Sequence, residues 1–206
     1  MPVKEQQTPH PGPALAMLLL GDIPPGLFVL DALAKEADVE VLQTGTIHCG
    51  RYLILFGGEV GPVERAWHRA LDTAGAQVLD EVLLPRAEER LLPAIQAGAI
   101  RWPAPGDTLG VLQAATPPVL VRAVDAALKG TLVDLVELRV GDGIGGKAIA
   151  SLWGETHDMV AAVDLARASF EKAGTQGAST AVIPRADPAI RETLGSASRF
   201  FREFRG

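Results

Sequence analysis

The chain repeats itself once, and this repeat constrains its fold more than any other feature of the sequence. Five motifs of the first half recur in the second half in the same order, at offsets of 94 to 99 residues. Two copies are too few for a solenoid, which needs at least three, so they favour a pseudo-twofold pair or part of a ring. The matched pairs are Leu15–Leu19 with Leu109–Gln113, Asp31–Lys35 with Asp125–Lys129, Gly45–Arg51 with Gly141–Lys147, Gly58-Glu59 with Gly154-Glu155, and Leu84–Ala87 with Ile183–Ala186.

The repeat sets the predicted domain boundaries. We expect a first domain over residues 14–97, a linker over 98–107 and a second domain with a C-terminal extension over 108–206. The linker contains Trp102-Pro-Ala-Pro-Gly-Asp107, and this Pro and Gly content is typical of a connection. Residues 1–13 are rich in Pro and Gln and are predicted to be a disordered tail.

Both halves predict the same order of elements, β-α-β-β-α-β. The second helix of each half is the clearest, because apolar residues recur every three to four positions, from Val63 to Ala74 and from Met159 to Phe170. This order is that of the ferredoxin-like fold, an α/β (α+β) class in which helices cover one face of an antiparallel sheet. The other predicted ranges are strands at 14–20, 39–42, 52–56, 78–84, 109–113, 133–138, 147–153 and 180–183, and first helices at 27–37 and 119–129.

Composition excludes several classes of protein. The longest apolar run, Ala14–Leu20, is too short to span a bilayer, and no signal peptide is expected. The net charge of −6 argues against a nucleic-acid-binding protein. The single cysteine, Cys49, excludes an intrachain disulfide and fits the reducing cytoplasm. We therefore expect a cytoplasmic protein that binds neither nucleic acid nor membrane.

Two motifs resemble active sites but lack the required chemistry. Gly141–Ala148 nearly matches a phosphate-binding loop, yet Ala148 has no hydroxyl for magnesium and the predicted element after it is a strand. His48 and Cys49 could suggest a thiol with its base, but adjacent residues of an extended segment point in opposite directions. We therefore predict that the protein is not an enzyme. The open alternatives are a small enzyme or regulator on a ferredoxin-like dimer, and a module that senses a metabolite between its halves.

The motifs of both halves resemble those of bacterial microcompartment shell proteins, specifically the tandem-domain type with unpermuted domains that forms trimers. The resemblance covers about residues 14–190 and therefore implies two such domains in one chain. The segments that carry it are Asp31–Val39 and Gly50–Val60 in the first half, and Val124–Lys129, Gly143–Lys147 and Val182–Arg185 in the second.

The resemblance implies a structural role in the shell of an enzyme-filled organelle. Three chains would form a pseudohexamer that tiles with hexameric and pentameric shell proteins, and metabolites would pass through its central pore. Lys35, Lys129, Arg86 and Arg185 match the family's tile-edge residues. The residues that match the pore loops are Thr46, Ile47, His48, Cys49, Gly50, Gly143, Ile144, Gly145 and Gly146.

Two cations directly follow the predicted pore loops, Arg51 in the first half and Lys147 in the second. In a narrow opening they would attract anionic metabolites, because clefts focus electrostatic fields. Alternatively, they are solvated charges at the starts of strands.

One branch of the family has Thr-Ile-Cys-Pro-Gly-Lys in its first loop, and three copies of that cysteine hold an iron–sulfur cluster on the threefold axis. Here the loop is Thr46-Ile-His-Cys-Gly-Arg51, so His48 takes the cysteine position and Cys49 the proline position. Three interpretations stay open: Cys49 ligates a 4Fe-4S cluster for electron transfer across the shell, His48 lines an ordinary pore as a pH-sensitive gate, or both are inert.

Overall fold

A computed structural model describes residues 12–97, 102, 106–141 and 143–195, which form two compact units. The first unit contains the described residues up to Thr46 and those from Tyr52 to Ala87. The second contains Ile47–Arg51 and the described residues from Glu88 onward. Most of the predicted tail and the end of the predicted C-terminal extension lie outside the described residues. The sequence-based boundary at residue 97 stays a prediction; the units divide at Ala87.

The first repeat has the predicted β-α-β-β-α-β order. Its sheet has the strand order β2-β3-β1-β4, in which β1 pairs antiparallel with both β3 and β4. The apolar β1 is therefore central, and the polar β2 is at an edge. The elements are β1 (Ala14–Leu20), α1 (Ile23–Glu36), β2 (Glu40–Ile47), β3 (Arg51–Gly58), α2 (Val60–Ala74), a 3-10 turn (Gly75–Gln77) and β4 (Val78–Leu84).

The second repeat has the equivalent sheet, in the order β6-β7-β5-β8, and confirms the predicted ferredoxin-like fold. A short helix, α3, precedes it and contacts β6. The elements are α3 (Leu91–Ala97), β5 (Thr108–Ala114), α4 (Pro117–Gly130), β6 (Asp134–Val140), β7 (Ala148–Gly154), α5 (Thr156–Lys172), β8 (Ser179–Ile183) and α6 (Pro188–Gly195).

The predicted amphipathic helices pack on one face of each sheet. In the first unit, Leu18 and Ile54 of the sheet join Val29 of α1 and Ala66 of α2 in one core. In the second unit, the apolar stripe of α5, from Met159 to Phe170, is buried. Within the described residues, no helix is long and apolar enough to cross a membrane.

The structure corrects three sequence predictions. The first helix begins at Ile23 in the first repeat, four residues earlier than predicted, and at Pro117 in the second, two residues earlier. The reason is that prolines occupy the first turn of both helices, where the backbone N–H groups need no helical partner. Strand β2 extends to Ile47, so Thr46 and Ile47 are strand residues rather than loop residues. Helices α3 and α6 were not predicted, because seven or eight residues give too few turns for a clear periodicity.

Candidate functional site at the two glycine loops

The loop between β2 and β3 is a tight hairpin turn with Cys49 and Gly50 at its tip. Both residues have positive φ, +70° and +71°, as the central residues of a two-residue type I′ turn do. Gly50 adopts this conformation without strain, whereas Cys49 does not. The turn exposes the Cys49 thiol.

The corresponding loop of the second repeat depends on glycine. Gly141, Gly143, Gly145 and Gly146 have φ values from +67° to +85°. The Lys147 N–H donates to the carbonyl of Ile144 at 3.3 Å and closes the loop. Residue 142 lies outside the described residues.

The hairpin tip and this glycine loop contact each other within the second unit. The Gly143 N–H donates to Nδ1 of His48 at 3.3 Å. A Cβ on Gly141 would lie 2.9 Å from Cδ1 of Ile47, and one on Gly146 would lie 3.4 Å from the His48 carbonyl oxygen. Gly141 thus combines a positive φ, which favours glycine, with a close approach to the Ile47 side chain. The structure thus brings together predicted pore residues from both repeats.

Three cationic side chains flank the glycine loop. Nη1 of Arg51 lies 3.6 Å from the position that a Cβ on Gly146 would take, and Nη2 of Arg139 lies 3.6 Å from the corresponding position on Gly143. Lys147 is exposed. Arg139 was not among the predicted residues. The signal that could have identified it is its position two residues before Gly141, near the end of β6. Three cations thus lie at a loop whose sequence contains one acidic residue, Asp142, although the chain carries a net charge of −6.

The four predicted tile-edge residues, Lys35, Lys129, Arg86 and Arg185, are all exposed. The lysines form the same i,i+4 ion pair in each repeat, Lys35 with Asp31 at 2.6 Å and Lys129 with Asp125 at 2.7 Å. Arg185 has a φ of +49° in the turn after β8.

Whether this site fits an iron–sulfur cluster depends on which side chains are available as ligands. Such clusters are held by several thiolates, and this chain has one cysteine. Among the described residues, no group of three His, Cys, Asp or Glu could hold a metal ion. Nδ1 of His48, at the position that aligns with the family's cysteine, already accepts the Gly143 N–H. The residues of a single chain therefore do not fit the cluster, and its prediction depends on three chains bringing their thiols together.

Comparison with known proteins identifies both repeats. The family described as "BMC domain" matches residues 14–87 and 108–186. The bacterial microcompartment shell protein PduT of Citrobacter freundii is 32% identical over 174 residues, which cover 84% of this chain and 92% of that protein.

Two solved structures share the fold. A microcompartment protein of Desulfitobacterium hafniense has a TM-score of 0.74 at 28% identity, covering 87% of this chain and 98% of that one. The fused, permuted hexameric shell protein of the RMM microcompartment has a TM-score of 0.57 at 23% identity, covering 76% and 81%. At that identity, the second likeness is one of fold alone.

Proposed function

The chain belongs to the BMC-domain family of microcompartment shell proteins, and from this premise we propose that three copies close into a pseudohexameric shell tile with a pore at its centre. The family match makes the chain a structural subunit of a bacterial microcompartment shell. The observation that supports the trimer is the tandem pair of equivalent sheets, β2-β3-β1-β4 and β6-β7-β5-β8. Three such pairs supply six equivalent domains, and a cyclic arrangement closes them without unpaired ends.

The glycine loops support the pore. In a ring, the hairpin tips and glycine loops of three chains would converge on one axis, where glycine permits close approach of backbones. Arg51, Arg139 and Lys147 would surround that axis with positive charge. Such a field concentrates anions, so we propose that the pore favours anionic metabolites.

The role we propose is structural rather than catalytic, and it includes contacts with other shell proteins. Lys35, Lys129, Arg86 and Arg185 support this because they are exposed, long and cationic, as contacts between neighbouring tiles require. The location that follows is the microcompartment shell in the cytoplasm.

Native mass spectrometry tests the trimer. We expect one dominant species at three times the chain mass of 21.7 kDa. A species of one or two chains at micromolar concentration would contradict the proposal and would favour the metabolite-sensing or dimeric alternatives.

Binding of an anionic dye tests the positive electrostatic field that we propose for the pore. We expect the trimer to bind a trisulfonated pyrene dye, and the Arg51→Gln/Lys147→Gln variant to bind it on the order of tenfold more weakly, because two cations per chain are lost from the axis. Fluorescence anisotropy at low ionic strength measures this. The matched control, Lys35→Gln/Lys129→Gln, removes the same charge at the tile edge. Equal weakening in both variants would show that the dye responds only to net charge.

A further inference from the structure

The second unit shows how one short segment of the chain docks on a repeat. We define the first docking segment as Glu88–Leu91. Its Glu88 N–H donates to Oδ1 of Asp125 at 2.8 Å. Arg90 donates to the carbonyls of Val133 at 2.9 Å and Leu128 at 3.4 Å. These acceptors lie in the C-terminal half of α4 and immediately before β6.

Arg90 also forms ion pairs with two acidic residues at this contact. Its hydrogen bond to Glu88, at 2.8 Å, lowers the pKa of that carboxyl. Arg90 further pairs with Asp134 at 3.5 Å. The first docking segment is thus held by backbone and side-chain bonds together.

The second repeat carries an equivalent segment, Asp187–Ile190, which we call the second docking segment. Both segments leave their sheets in the same way: the Ala87 N–H donates to the Pro13 carbonyl and the Ala186 N–H to the Asp107 carbonyl, each at 2.8 Å. Both contain the same turn, with Leu91 N–H bonded to the Glu88 carbonyl and Ile190 N–H to the Asp187 carbonyl. The second segment is therefore folded to donate as the first does.

The surface that would accept the second docking segment is exposed in this chain. Asp31 and Lys35 of α1 repeat the pair of Asp125 and Lys129, but the Asp31 side chain is 57% exposed whereas that of Asp125 is 9% exposed. Ten residues of α4 are buried, against three of α1. Phe28, on the exposed face of α1, is 66% exposed.

The start of β2 is likewise more exposed than the start of β6. Val41 is 37% exposed, whereas Leu135, at the equivalent position, is 9% exposed. We call α1 together with the start of β2 the α1–β2 surface. It keeps the acceptors of the second repeat and adds uncovered apolar side chains, which a protein contact would bury.

We propose that the second docking segment of one copy docks on the α1–β2 surface of another copy, with the Asp187 N–H donating to Oδ1 of Asp31. This inference rests on the proposed ring, because a head-to-tail contact joins unlike surfaces and forms a cycle when its rotation closes. One difference follows from the sequence: Ala189 stands where the first segment has Arg90, so the contact between chains lacks that guanidinium. It therefore relies more on the uncovered apolar side chains of the α1–β2 surface.

Disulfide trapping tests the proposal, since the chain becomes free of cysteine in a Cys49→Ala background. In that background, Asp31→Cys/Asp187→Cys is oxidised with copper phenanthroline and separated on a non-reducing denaturing gel. We expect covalent species of two and three chains, because the paired Cα atoms would lie within disulfide reach. The matched control, Glu88→Cys/Asp125→Cys, repeats the geometry inside one chain and should yield only cross-linked monomers.

Native mass of the oxidised and reduced proteins separates the possible failures. If the variant has the mass of three chains and the control pair forms, but positions 31 and 187 do not cross-link, this docking contact is wrong and the trimer stands. If only single chains are present, both the contact and the proposed ring are wrong. Mixing the Asp31→Cys chain with the Asp187→Cys chain checks folding and specificity, and should give cross-linked dimers only.

Discussion

At the tip of the first hairpin, Cys49 occupies a backbone conformation that suits glycine or asparagine better. A positive φ brings the Cβ of an L residue too close to the following carbonyl oxygen. The sequence placed His48 and Cys49 in this loop correctly. It did not predict the bond from Gly143 to His48, because the two residues are 95 positions apart and only tertiary structure brings them together.

The Cys49→Asn variant tests this residue. Because asparagine tolerates positive φ and is favoured in type I′ turns, we expect the free energy of unfolding to rise by about 1 kcal/mol. Urea denaturation measures this, with Cys49→Ala as the control, since alanine keeps the strain. The same variants test the predicted 4Fe-4S cluster: a ligated cluster would make both substitutions destabilising and would remove a visible absorption band from the anaerobic protein.

At the scale of elements, the two repeats pack the first helix against the sheet in opposite ways. A Cβ on Gly26 of α1 would lie 2.5 Å from Cδ1 of Tyr52 on β3. The equivalent positions of the second repeat hold Leu120 and Ala148, both fully buried. In the first repeat the strand residue is large and the helix residue small, whereas in the second repeat the helix residue is large and the strand residue small. Periodicity predicted both helices but could not reveal this exchange, because it records only which residues are apolar.

Substitution of Gly26 tests the packing exchange. Gly26→Ala should destabilise the protein by about 1–3 kcal/mol despite the better helix propensity of alanine, because the new methyl group overlaps the Tyr52 ring. In a Tyr52→Ala background the same change should be neutral or stabilising. A double-mutant cycle from urea denaturation measures the coupling. Equal effects of Gly26→Ala in the two backgrounds would contradict this packing.

At the scale of the whole molecule, the repeat predicted most of what the structure and the comparisons confirm. Five collinear motifs gave two domains, the order of elements and the family. The docking segments could not be predicted from the sequence. Glu88–Leu91 and Asp187–Ile190 have few residue types in common and resemble each other mainly in their backbone hydrogen bonds. How six domains assemble is a property of several chains, so it stays a proposal.

Electron microscopy of the purified protein tests the ring of three chains most directly. Class averages of single particles should show a six-lobed outline with threefold symmetry and a central opening, since each chain supplies two equivalent domains. Concentrated samples should form sheets of the same units. Particles of one or two chains, or a compact assembly with no opening on its axis, would contradict the account.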